Sequence, residues 1–87
     1  MGVDCLYSNT SGNYNAAFGY QALEKNTTAD YNTAFGYQAL EANTTGTQNV
    51  AVGAASMDAS TTGSYSTAVG YAALSANTTA NDNTGLG

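Results

Sequence analysis

The chain has no histidine, no proline and no tryptophan, and it has one cysteine and one basic residue. Each absence removes a class of function. Without histidine, the single thiol at Cys5 has no imidazole base to activate it, and a cysteine nucleophile needs a base or an electropositive setting. One cysteine also excludes an intrachain disulfide. Lys25 alone cannot supply the cationic footprint that nucleic acid requires, nor attraction to anionic lipid. No apolar run approaches the ~20 residues of a membrane-spanning helix. Residues 1–15 lack a basic start and an apolar stretch, so they do not read as a signal peptide. Only 8% of residues are charged, the net charge is −5, and Asn, Thr, Ser and Gly do the solvating. That composition hints at an extracellular fibrous protein rather than an ordinary charged surface. The 87 residues make one small domain, and alanine supplies much of the 43% hydrophobic content, so a conventional core of large side chains is not expected.

What is present is repetition. Glycine stands at 2, 19, 36, 53, 70 and 87, at steps of 17 (19−2, 36−19, 53−36, 70−53, 87−70). Residues 1–87 therefore form one repeat domain of coils 2–18, 19–35, 36–52, 53–69 and 70–86. Aligned coils give columns. Phe18, Phe35, Val52, Val69 and Leu86 precede the glycines, and Ala17, Ala34, Ala51, Ala68 and Gly85 precede those. Leu6, Leu23, Leu40, Met57 and Leu74 follow four residues after each glycine, behind a small column of Cys5, Ala22, Ala39, Ser56 and Ala73. A polar corner comes next, as in Asn26-Thr27-Thr28 and Asn43-Thr44-Thr45.

A fixed period near 20 with a recurring apolar pair is the pattern of a solenoid, in which one unit buries its apolar face only against the next. Stacking places Phe35 on Phe18 and Leu40 on Leu23, and both columns are expected in the core. Thr33-Ala34-Phe35-Gly36-Tyr37 reads as a short strand and the Asn-Thr-Thr segment as a turn. Gln38-Ala39-Leu40-Glu41 has helix propensity but is too short to hold a helix unaided, leaving one helical turn per coil open. The expected fold is all-β, a parallel β-solenoid or β-roll. The Ala and Gly columns are expected to form a close-packed face against neighbouring chains.

The Asn-Thr-Ala-Phe/Val-Gly motif, followed by Tyr-x-Ala-Leu and Asn-Thr-Thr, resembles the repeats of bacteriophage tail-fibre shafts along the whole chain. It is also similar to the head repeats of trimeric autotransporter adhesins. Ser66-Thr67-Ala68-Val69-Gly70 and Asn49-Val50-Ala51-Val52-Gly53 come nearest to the adhesin core, while the longer period and Phe18 and Phe35 depart from it. The resemblance implies a parallel β-roll, often of three chains, serving as a stalk or receptor-contacting fibre without catalysis.

Several columns invite chemistry. Asn9, Asn26, Asn43 and Asn77 each begin an Asn-x-Ser/Thr acceptor pattern, a possible row of glycans. The plainer alternative is a turn whose stacked asparagines hydrogen-bond along the ladder. Glu24, Glu41 and Asp58 share a column that could attract calcium, but Tyr7 and Ser75 interrupt it, and a solvated acidic edge is the competing reading. Asp4, Asp30 and Asp82 read as turn or surface residues. Tyr20, Tyr37 and Tyr71 align, as do Tyr14, Tyr31 and Tyr65, either as structural ladders or as an aromatic stripe for sugar contact. Adjacent threonines point to opposite faces of a strand, which disfavours an ice-binding face. Cys5 falls in the small column as a buried residue or a link between chains.

The sequence thus points to a structural or adhesive segment of an extracellular fibre, on a virion or cell surface. Its expected partners are copies of itself, as a homotrimer or longer filament, and a cell-surface receptor or carbohydrate. No cofactor, metal, nucleic acid or membrane insertion is expected. The rival reading is a glycan-coated fibril scaffold, and an ice-binding solenoid is a third.

Overall fold

A three-residue strand in a narrow coil can send only its middle side chain inward, because successive side chains alternate across the strand. The computed structural model, which describes residues 5–87, is built on that alternation; Gly2 and Asp4 lie outside the described residues. Each coil contributes one strand: β1 (Ala16–Phe18), β2 (Thr33–Phe35), β3 (Val50–Val52), β4 (Thr67–Val69) and β5 (Thr84–Leu86). They form one parallel sheet in chain order. The register is fixed by the period, with Ala17 opposite Ala34, Ala34 opposite Ala51 and Ala51 opposite Ala68. The chain is a parallel β-solenoid of 17-residue coils.

The alternation decides which columns are inside. Ala17, Ala34, Ala51 and Ala68 are buried, as are Ala22, Ala39, Ser56 and Ala73, and Leu23, Leu40 and Met57 stack between them. The Ala columns therefore line the interior rather than a face against neighbouring chains. The reason is width. A Cβ built on Gly85, in the strand alanine column, would lie 2.7 Å from Cγ of Leu74, and the other coils carry nothing larger than alanine at this position. The Phe column, expected in the core, is outside: Phe35 is 55% exposed whereas Leu40 is 0% exposed. With Ala34 turned inward, its strand neighbours Thr33 and Phe35 must turn out.

The rest of each coil is neither strand nor helix. Ala39 N–H donates to Gly36 O, Glu41 N–H to Gln38 O and Asn43 N–H to Leu40 O, giving overlapping four-residue β-turns. Gln38 (φ 57°) and Leu40 (φ 53°) adopt the left-handed conformation, as do their counterparts Ala55 and Met57 in the next coil. That rules out the single helical turn left open by the sequence, since a right-handed helix needs negative φ throughout. Positive φ sits at the third residue of the first two turns, as type II turns require. A side chain pays roughly 1–2 kcal/mol for this conformation. Neighbouring coils impose it. Gln38 and Ala55 donate their N–H groups back to Tyr20 O and Tyr37 O, while Leu40 and Met57 donate forward to Ser56 O and Ala73 O.

Ala55 makes this testable. Its φ is 59°, so Ala55→Gly should leave stability unchanged or raise it by up to about 1 kcal/mol. Ala51→Gly, in a buried strand position, should instead cost about 1 kcal/mol. A lowered urea midpoint for Ala51→Gly but not for Ala55→Gly is the expected result, and equal losses would contradict the turn geometry.

Candidate functional surface

A buried primary amide needs partners for its two hydrogens and its oxygen. The corner asparagines find most of them in each other and in the carbonyls of their own turns. Asn26 Nδ2 donates to Asn9 Oδ1 (2.9 Å) in the preceding coil and to Ala29 O (3.1 Å) in its own. Asn43 repeats the pattern with Asn26 Oδ1 and Gly46 O, both at 3.0 Å. Asn26 and Asn43 are 0% exposed. In this fold the nitrogen that would carry sugar is enclosed at both residues, with both hydrogens committed to the ladder. Asn9 and Asn77, in the outer coils, are half-buried and donate to Gly12 O (3.1 Å) and Ala80 O (3.2 Å).

A second ladder escaped the sequence reading. Asn15, Asn32, Asn49, Ser66 and Asn83 share a column just before the strands. Asn15 Oδ1 accepts from Asn32 N–H (2.8 Å), and Asn32 Oδ1 from Asn49 N–H (2.9 Å). The amide nitrogens of Asn32 and Asn49 close on Gly46 O and Gly63 O at 2.8 Å. The signal was the recurrence of Asn at a 17-residue step beside a strand, where a merely solvated loop would tolerate any polar residue.

The threonine corner is divided as the alternation requires. Thr44 is half-buried and its hydroxyl donates to Thr61 O (3.3 Å), whereas Thr45 is exposed. Thr28, Thr45, Thr62 and Thr79 thus form a single outward row. Cys5 is half-buried and its thiol donates to Gly19 O (2.8 Å), filling the small-residue position of its coil. Glu24, Glu41 and Asp58 are half-buried on one edge, and Glu41 lies 3.7 Å from the Lys25 ammonium. No cluster of three or more His, Cys, Asp or Glu able to hold a metal occurs among the described residues.

The outer surface is two-sided. Among the described residues, every large exposed hydrophobic side chain except Tyr7 falls in three columns: Tyr14, Tyr31 and Tyr65; Phe18, Phe35, Val52, Val69 and Leu86; and Tyr20, Tyr37 and Tyr71. These columns lie within seven residues of each coil, flanking and including the strand. The outward strand positions carry no charge at all. The rings stack along the axis, with Tyr14 and Tyr31 centroids 4.8 Å apart and Tyr20 and Tyr37 5.7 Å apart, each pair 11° from parallel. Phe18 and Phe35 are tilted at 5.2 Å. No concave pocket interrupts the described surface. The candidate functional feature is therefore this aromatic and aliphatic face, built from residues that the columns had placed partly in the core. Neither a protein-family model, nor a curated protein, nor a solved structure matches the chain, so what is established is a β-solenoid of 17-residue coils.

Proposed function

We propose that this chain is a structural and adhesive repeat segment of an extracellular fibre, of the tail-fibre or surface-adhesin kind, which associates with copies of itself as a homotrimer or longer filament. The observation that carries the reading is the segregation of exposed apolar side chains onto one arc of every coil. A contiguous exposed apolar face is often functional, as a surface that meets another molecule. A copy of the same chain suits it for two reasons. Its side-chain columns have the same ~4.8 Å repeat, so ridges and hollows stay in step along the axis. Its charge-free strand face also lets two chains of net charge −5 approach without setting like charges against each other.

The strand face is small, and this sets how the fibre works. Five strands of three residues cover roughly 240 Å² if flat, against ~800 Å² per partner for a standard stable interface. Association through the strands alone is weak in a five-coil piece and grows with the number of coils, while the tyrosine columns at the borders add area. A distal receptor or carbohydrate would meet the same repeating surface. The burial of Asn26 and Asn43 weighs against the glycan-scaffold alternative.

Sedimentation of the wild type and Phe35→Asp tests the proposal. The wild type is expected to form a multiple of the chain mass, and more of it at higher concentration. The variant is expected to stay folded by circular dichroism and sediment as single chains, since Phe35 lies on the outer face. A wild type that is monomeric across the concentration range would overturn the proposal.

A further inference from the structure

Among the described residues, two buried side-chain atoms have no partner, Asn43 Oδ1 and Ser60 Oγ, and they belong to the same break in the corner ladder. Where the other described coils carry Asn9, Asn26, Asn43 and Asn77, the fourth carries Ser60. The intact rungs define what is missing. In each of Asn26 and Asn43, one amide hydrogen goes to the preceding asparagine oxygen and the other to the carbonyl three residues on. At the fourth coil the corresponding acceptors are Asn43 Oδ1 and Gly63 O. Ala29 O receives amides from both Asn15 and Asn26, and Gly46 O from both Asn32 and Asn43. Gly63 O receives a side-chain amide only from Asn49, at 2.8 Å.

We propose that a single buried water occupies the place of the missing carboxamide beside Ser60. Water has the two donors the site requires. One hydrogen serves Asn43 Oδ1, the other serves Gly63 O, and the water oxygen accepts the Ser60 hydroxyl. That makes three hydrogen bonds, the usual complement of a buried structural water. Serine is two heavy atoms shorter than asparagine, which leaves space of the order of one water, whose share of liquid volume is ~30 Å³. Asn43 and Ser60 are both 0% exposed, so this water would exchange slowly with solvent. The second ladder shows that serine alone does not create such a site. Ser66 replaces asparagine there and is fully engaged, accepting from Asn83 N–H (3.2 Å) and donating to Ser64 O (3.3 Å).

The test is water-selective NMR on the folded wild type and on Ser60→Asn. The wild type should show rotating-frame cross-peaks from a long-lived water to the Asn43 side-chain amide and the Ser60 side chain. Ser60→Asn supplies the amide itself, so those cross-peaks should vanish while the melting temperature holds or rises. Failure to find a long-lived water near Asn43 in the wild type overturns the proposal, and so does its persistence in a folded Ser60→Asn variant. Both readouts are independent of whether the chain is part of a fibre.

Discussion

Gly36→Ala is expected to unfold the middle of the solenoid, at a cost of about 4 kcal/mol or more. Two effects combine. Gly36 has φ 137°, a conformation that residues with a Cβ rarely adopt. An alanine Cβ there would also lie 2.7 Å from both the carbonyl carbon and oxygen of Gly53, and 3.1 Å from Ala54 N. Those atoms are backbone and cannot rotate away. They are held in place, because Gly36 N–H donates to Phe18 O and Gly53 N–H to Phe35 O, each at 2.7 Å. A loss of this size is a large part of the ~5–15 kcal/mol that holds a typical domain together. Urea melts of the wild type and Gly36→Ala measure the loss, and one below about 1 kcal/mol, the ordinary glycine-to-alanine range, would mean that the glycine stack is not the constraint described.

The second large effect separates inside from outside. Leu40→Ala should cost about 2.7–5 kcal/mol, through lost burial and a cavity that a closely packed interior cannot fill. Leu40 is fully buried between Leu23 and Met57, against the alanine walls. Its N–H is tied to Ser56 O, so the backbone has little freedom to collapse inward. Phe35→Ala removes a larger side chain, yet in the isolated chain it should cost only about 1 kcal/mol, the range of one exposed aromatic contact such as that with Phe18. If Phe35→Ala proved as damaging as Leu40→Ala in dilute solution, the in-out assignment of the strands would be wrong.

The sequence made the period, the β character and the leucine stack legible, because each depends only on spacing and residue type. It did not make the facing of the strands legible on the same terms. Alignment ranks Phe35 with Leu40 as large and apolar, and hydrophobicity alone sends both inward. The deciding fact is geometric: with a strand only three residues long, Ala34 and Phe35 cannot both be inside. Ala34 wins because the opposite wall already holds a leucine. The turn was similarly hidden. Gln38 and Leu40 have no preference for positive φ, and hydrogen bonds from adjacent coils impose it, a tertiary effect that local propensity cannot report. The asparagines were seen and only half read. Their glycosylation pattern and their ladder are the same residues, and burial at Asn26 and Asn43 favours the ladder. The column of Asn15, Asn32 and Asn49 carried the same signal without the threonine that drew attention to the other.

Hydrogen exchange of the asparagine side-chain amides, followed by NMR in deuterated water, tests the central claim most directly, since it reports on the polar interior of the coil residue by residue. The account predicts slow exchange at Asn26, Asn32, Asn43 and Asn49, which are fully buried, and fast exchange at Asn81, which is exposed. Fast exchange at Asn26 and Asn43 in the folded chain would put the corner back at the surface and contradict the stacked solenoid described here.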